Sequence, residues 1–190
     1  MQLAQHDIPA VILAGGQGRR IGGDKAMVRL GSRALWQHVE GRVAPQVSKL
    51  AVNGVGAFGA REVIHDETPG LGPLGGILAA MVWAQGLGAR RVLTVAVDTP
   101  FLPPDLVARL SYAEAPVVAA RTPDGVHGTT ALWDVTLADD LRAALGNGTR
   151  KVTFWAQSVG QEEVRFSDAT PPPFFNINTP EDLTRAKAWL

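Results

Sequence analysis

Five short runs of apolar and β-branched residues read as strands covered on both faces: Ala10 to Ala14, Lys49 to Asn53, Glu62 to His65, Val92 to Val97 and Pro116 to Ala120. They show little of the apolar–polar alternation that a half-exposed sheet imposes. Between them the spacing becomes helical. Over Ala34 to Val47, Leu35, Val39, Val43 and Val47 fall on one stripe, with Ser32 placed as the cap and Pro45 set to kink or end the helix. Leu74 to Gln85 carries Leu74, Leu78, Met81 and Val82 inward, Pro103 to Tyr112 opens on prolines suited to a first turn, and Leu137 to Leu145 stops at Gly146-Asn-Gly148. A last helix starts where Thr179 caps, Pro180 fills the first turn, and Glu181 and Asp182 complement the positive end of the dipole. Strands alternating with helices predict an α/β chain of three layers, α/β/α, built as one domain over 1–190 on a Rossmann-like, mainly parallel sheet. Such sheets bind ligands beyond the carboxyl ends of their strands. Four places are thereby selected: the loop after Ala14, Asn53-Gly54, His65-Asp66 and Asp98-Thr-Pro100.

Composition narrows the chemistry. The 190 residues hold 18 basic and 18 acidic side chains, so no global field argues for nucleic acid or an anionic membrane as partner, and any anion site must be local. There is no cysteine, which removes thiolate metal sites and thiol nucleophiles and fits a reducing compartment. The N-terminal residues lack a basic head followed by an apolar run, and no window approaches the length needed to cross a bilayer, so the expectation is a soluble, cytoplasmic protein.

The local anion site is written in Leu13-Ala-Gly-Gly-Gln-Gly-Arg-Arg-Ile-Gly-Gly-Asp-Lys25. It is not a dinucleotide fingerprint, because Ile21 stands where the third glycine belongs, and it is not a Walker loop, because Asp24 separates the last glycine from Lys25 and Ala26 follows. What remains is a loop whose glycines let backbone N–H groups approach a di- or triphosphate closely, with Arg20 and Lys25 to neutralise it. Opposite, Asp98 ends the strand Val92 to Val97, where a carboxylate can hold a magnesium ion that bridges phosphate oxygens.

The motif Leu-Ala-Gly-Gly-x-x-x-Arg-x-Gly-Gly-x-Lys over Leu13 to Lys25 resembles the N-terminal motif of nucleotidyltransferases acting on sugar phosphates and related phosphates, and within that superfamily it is most similar to the molybdenum cofactor guanylyltransferases. Leu35-Trp-Gln-His-Val39, Gly72-Pro-Leu-Gly-Gly-Ile77, Asp98-Thr-Pro100 with Pro103-Pro-Asp-Leu106, and Phe175-Asn-Ile-Asn-Thr-Pro-Glu-Asp-Leu183 extend the likeness over nearly the whole chain. The resemblance implies the nucleotide-diphospho-sugar transferase type of fold and transfer of GMP from GTP to the terminal phosphate of molybdopterin or molybdenum-molybdopterin, with pyrophosphate released.

By the same resemblance Leu13, Ala14, Gly15, Gly16, Lys25, Asn53, Asp66 and Asp98 bind GTP, with Lys25, Arg20 and Asp98 catalytic and Asp98 holding Mg2+. Asp66 suits guanine, since a carboxylate accepts from both N1–H and the amino group, although His65-Asp66-Glu67 leaves the register open. Asn176 and Asn178, together with His127 in His127-Gly-Thr-Thr130, resemble residues at the molybdopterin phosphate end; glycine here replaces a family proline. Transient contacts with molybdopterin-delivering proteins and acceptor apoenzymes are implied in the same way. The competing readings are a cytidylyltransferase of the same cofactor, a sugar-phosphate nucleotidyltransferase, and a nucleotide-binding regulatory or cofactor-chaperone protein that transfers nothing.

Overall fold

The computed structural model of the protein describes residues 7–15, 17–18 and 23–190. In chain order its strands are β1 (Ala10–Leu13), β2 (Gln17–Gly18), β3 (Gly23–Asp24), β4 (Arg29–Leu30), β5 (Arg33–Ala34), β6 (Leu50–Asn53), β7 (Glu62–Ile64), β8 (Arg91–Ala96), β9 (Val117–Thr122), β10 (Gly125–Asp134) and β11 (Gln161–Arg165). The helices are α1 (Leu35–Val43), α2 (Pro73–Gly86), α3 (Leu106–Leu110), α4 (Ala138–Gly146), α5 (Val152–Ser158) and α6 (Pro180–Lys187). Seven strands form one sheet in the order β11-β9-β10-β8-β1-β6-β7, while β2 pairs with β3 and β4 with β5 in two small ribbons. Every pairing in the large sheet is parallel except those of β10, which runs against both β8 and β9. The carboxyl ends of the other six strands therefore share one edge.

The central strands of the large sheet split their side chains between two apolar layers, which is why they are apolar throughout. Ala10 and Ile12 of β1, Leu50 and Val52 of β6, and Leu93 and Val95 of β8 face the layer that holds Val39 and Val43 of α1 and Leu106 and Leu110 of α3. Val11, Ala51 and Val92 face the opposite layer, with Leu74, Ile77 and Met81 of α2, Leu141 of α4 and Trp155 of α5. The three-layer α/β/α, mainly parallel architecture matches the expectation. A polar seam crosses the second layer: buried Trp133 Nε1 donates to Thr94 Oγ1 at 2.8 Å, and Thr94 Oγ1 donates to the carbonyl of Thr129 at 2.9 Å. That seam anchors β10 at the irregularity where its register on β9 shifts between His127 and Ala131.

Three local expectations change. Ser32 does not cap α1; the N-cap is Ala34, whose N–H donates to Gln37 Oε1 at 2.9 Å, so the third helical residue reaches back to do the capping. Val47 leaves the stripe, because Pro45 converts the chain into a 3₁₀ turn over Ala44–Gln46 once α1 ends. The helix expected over Pro103 to Tyr112 is confined to Leu106–Leu110. β10, β11 and α5 were not anticipated. Thr179 caps α6 as expected, and Asp182 completes a capping box: Asp182 N–H donates to Thr179 Oγ1, and Thr179 N–H donates to Asp182 Oδ2, both at 3.1 Å. Among the described residues no helix is long and apolar enough to cross a membrane.

Candidate active site

The strand ends build a cleft of about 530 Å³ whose walls include Leu13, Gly15, Lys25, Asn53, Asp66 and Asp98. The four places selected by the strand-end rule thus converge on one cavity. At one end, Asn53 closes β6 and is buried; its amide donates to Asp66 Oδ1 at 2.9 Å across the step from β6 to the turn after β7. Asp66 is half-buried in the cleft, whereas Glu67 turns outward into a paired contact with Arg142 of α4 at 2.8 and 2.9 Å. The Arg142 guanidinium holds the Glu67 carboxyl below its usual range. Of the two carboxylates in the His65-Asp66-Glu67 run, Asp66 is therefore the one that lines the cleft. Leu13 ends β1, and Ala14 N–H is spent on the carbonyl of Asn53 at 2.8 Å, which ties the loop to β6.

The first turn of α2 presses against this pair. A Cβ on Gly76 would lie 2.6 Å from Asn53 Oδ1 and 3.0 Å from Leu13 Cδ2, and one on Gly75 would lie 2.8 Å from Asp66 Oδ2. Glycine at these positions lets the helix backbone reach the carboxamide and the carboxylate. The turn into the helix passes through Gly72 at φ 68°, a conformation that L side chains rarely adopt. The segment Gly72 to Ile77 was legible as a motif, but these glycines had no assigned role. Their signal was two helix-disfavouring residues placed at a helix start.

At the centre of the cleft lies a triad. Lys25 Nζ donates to Asp98 Oδ2 at 2.6 Å and to Asn178 Oδ1 at 2.5 Å, joining residues 73 and 153 positions apart. The lysine and aspartate side chains keep 13 % and 16 % of their surface, so the pair is shielded but open to a ligand from the cleft. Asp24 fixes the approach of Lys25 by accepting from Ala26 N–H at 3.1 Å at the head of a 3₁₀ turn. Among the described residues the buried Asp98 Oδ1 has no hydrogen-bond partner, an arrangement that costs free energy unless a cation or donor completes it. Gly16 and Arg20, expected to grip phosphate, lie outside the described residues. Among the described residues no cluster of three or more His, Cys, Asp or Glu side chains is placed to hold a metal, and the carboxylates lining the cleft are Asp66 and Asp98.

A second recess of about 360 Å³ adjoins the cleft and shares Thr129 and Asn176 with it. His127, Thr99, Lys151 and Thr153 contribute to its walls. Two of these come from β10 and the start of α5, the elements that pattern reading passed over. The His127 ring is half-buried, with Nε2 2.8 Å from Thr122 Oγ1, and burial pushes its pKa below the ordinary imidazole value against an opposing pull from Asp124. The structure therefore brings together Leu13, Gly15, Lys25, Asn53, Asp66, Asp98 and Asn176, with Asn178 joined through Lys25, and sets His127 in the neighbouring recess.

Residues 10–161 match the MobA-like NTP transferase domain. The chain belongs to this family. It is 42 % identical to a molybdenum cofactor guanylyltransferase of Rhizobium leguminosarum bv. trifolii over 99 % of this chain and 95 % of that one. It is 43 % identical to one from Cereibacter sphaeroides over 95 % of each. Among solved structures it resembles molybdopterin-guanine dinucleotide biosynthesis protein A of Archaeoglobus fulgidus, with 26 % identity, a TM-score of 0.77, and coverage of 95 % of this chain and 97 % of that one. As a MobA-like transferase the protein is a nucleotidyltransferase. The matched MobA-like domain stops short of Asn176 and Asn178, so the segment that meets Lys25 comes from beyond it, yet within the stretch shared with the full-length relatives.

Proposed function

We propose that the protein transfers GMP from GTP to the terminal phosphate of molybdopterin or molybdenum-molybdopterin, giving molybdopterin guanine dinucleotide and pyrophosphate. The observation that carries this reading is the single cleft that runs from the Asn53–Asp66 pair to the Lys25–Asp98 pair and opens, past Asn176, into a second polar recess. A base-recognition end, a charge-neutralising centre and a separate acceptor pocket are what a two-substrate nucleotidyl transfer needs.

In this reading Asp66 accepts from guanine N1–H and the exocyclic amino group, an offer that adenine does not match. Asn53 orients that carboxylate, and Leu13, Ala14 and Gly15 border the base. An oxygen of the acceptor phosphate attacks the α-phosphorus, the bond to the bridging oxygen breaks, and pyrophosphate leaves with the electron pair. Lys25 offsets the charge that grows on the leaving group, assisted by Arg20 and the backbone around Gly16. The attacking phosphate is already ionised near neutral pH, so no general base is required. Asn176, between the two pockets, and Asn178 border the acceptor phosphate, with His127 in the recess wall.

Asp98, whose buried Oδ1 has no hydrogen-bond partner among the described residues, would hold a magnesium ion. When bound, that ion supplies charge neutralisation across the phosphate oxygens. In this reading the reaction is cytoplasmic, with molybdopterin-delivering proteins and acceptor apoenzymes as transient partners. The test incubates the protein with molybdopterin, magnesium and each nucleoside triphosphate in turn, and follows pyrophosphate and dinucleotide. Turnover with GTP is expected; turnover with CTP alone would overturn the base assignment, and GTP binding without turnover would favour a non-catalytic role.

A further inference from the structure

His127 lines the acceptor recess, but its ring is committed elsewhere. One face stacks on Phe174, with centroids 4.5 Å apart and planes inclined by 23°, and Nε2 is engaged by Thr122 Oγ1, a bond that either ring tautomer can make. Phe174 is buried and meets Phe166 edge-on at 5.2 Å, and the Arg109 guanidinium covers Phe166 at 4.1 Å. Phe174, held in this pile between His127 and Phe166, is the first residue of the segment Phe174-Phe175-Asn176-Ile177-Asn178.

The same segment is tied to the reaction centre at its other end. Ile177 N–H donates to the backbone carbonyl of Asp98 at 3.0 Å, and Asn178 meets Lys25. Asn176, between Phe174 and these contacts, lines both the nucleotide cleft and the acceptor recess. On the far side Phe175 packs edge-on against Trp189 at 5.0 Å beneath Arg185. Alternate side chains thus point into opposite supports, and the lateral setting of Asn176 follows from how firmly Phe174 is held.

We propose that His127 is a positioning residue: by stacking on Phe174 it fixes the segment that carries Asn176 and Asn178 against Asp98, and it does not itself hold the acceptor. The proposal rests on the guanylyl-transfer reading for its kinetic arm only. Its structural arm is independent of any substrate.

The test compares His127→Phe, which keeps the stack and loses the Thr122 bond, with His127→Gln, which keeps a polar partner for Thr122 and loses the stack, and with His127→Ala, which loses both. Hydrogen exchange at the Ile177 amide reads the anchoring of the segment, and kcat and KM for both substrates read its consequence. Loss of one buried aromatic contact is expected to speed exchange at Ile177 by about five- to tenfold in the Gln and Ala variants, with a similar fall in kcat and little change in the acceptor KM. The Phe variant is expected to stay near wild type in both. Exchange at Ile177 that is unchanged in all three variants would overturn the proposal. So would a Phe variant as impaired as Ala with the loss confined to the acceptor KM, since the ring would then be contacting the acceptor. A wild-type protein without guanylyl transfer would defeat the functional reading while leaving the exchange comparison able to decide the role of His127.

Discussion

Replacing Gly76 by alanine tests whether the first turn of α2 shapes the base-recognition end of the cleft. The added methyl would sit 2.6 Å from Asn53 Oδ1 and 3.2 Å from Asn53 Cγ, about 0.8 Å inside the 3.4 Å where ordinary contact begins, and 3.0 Å from Leu13 Cδ2. Asn53 is buried and its amide is already held by Asp66, so it cannot yield without loosening that 2.9 Å hydrogen bond. Three terms compete. Alanine in a helix gains about 0.5–1 kcal/mol over glycine. Overpacking a filled site costs about 1–3 kcal/mol. Weakening a hydrogen bond to a carboxylate costs about 1.5–3 kcal/mol more when it is lost outright.

The balance is a destabilisation of about 1–3 kcal/mol and a loss of GTP affinity of about ten- to a hundredfold, as Asp66 leaves its setting. Gly41 in α1 serves as the control, because a Cβ there meets nothing within 4 Å. Gly41→Ala should stabilise by about 0.5–1 kcal/mol with GTP affinity unchanged. Urea unfolding gives both stabilities and titration calorimetry gives the affinities. A Gly76→Ala protein that matches wild type in midpoint and in GTP binding would refute the argument that helix approach positions the Asn53–Asp66 pair.

Lys25→Ala should reduce transfer by about two to three orders of magnitude, the usual effect of removing a donor to developing charge, with far-UV dichroism unchanged; activity within a few-fold of wild type would remove the role given to this side chain. Asp98→Asn should weaken magnesium or manganese binding in the presence of GTP by about tenfold or more, measured by manganese paramagnetic resonance, and equal affinity would place the metal elsewhere. Asp66→Asn should lower the preference for GTP over other triphosphates by about ten- to a hundredfold in competitive binding, since the amide no longer accepts from both guanine donors. The Asp182 carboxyl is held below its ordinary value first by the Asn178 N–H and then by Thr179 and Arg185, so its contribution to stability is present above about pH 4 and is lost as pH falls through the depressed folded-state value. Asp182→Asn should therefore flatten the acid limb of the stability profile in urea titrations, and an unchanged limb would count against that assignment.

The central strands were legible because burial on both faces writes an unbroken apolar run, as in β1 and β6. β11 was not, since Gln161-Glu-Glu-Val-Arg165 is a mostly polar edge strand whose pairing to β9 exists only in three dimensions. β10 hid for a different reason: its first half, Gly125 to Thr129, is half-exposed and breaks register where it meets the recess. α5 mixes valine, threonine and two aromatics in seven residues, a composition that argues for a strand until α5 packs on β10. At the site, residue identities came from the motif resemblance and from the strand-end rule, but their pairing did not. Nothing local says that Lys25 meets both Asp98 and Asn178, or that Arg142 draws Glu67 away and leaves Asp66 to the cleft. Those contacts depend on where distant loops land.

The strand order has an evolutionary reading. Along the shared edge, the Asn53–Asp66 end belongs to β6 and β7, the Lys25–Asp98 centre to β1 and β8, and the second recess to the reversed strand β10 with α5. In the guanylyl-transfer reading proposed above, donor and acceptor functions are thereby written in largely separate stretches of the chain. On that reading, drift in the hairpin and helix between 122 and 158 can retune the molecule that receives the nucleotide while the machinery that selects and activates the nucleotide stays intact, with Thr129 and Asn176 bordering both.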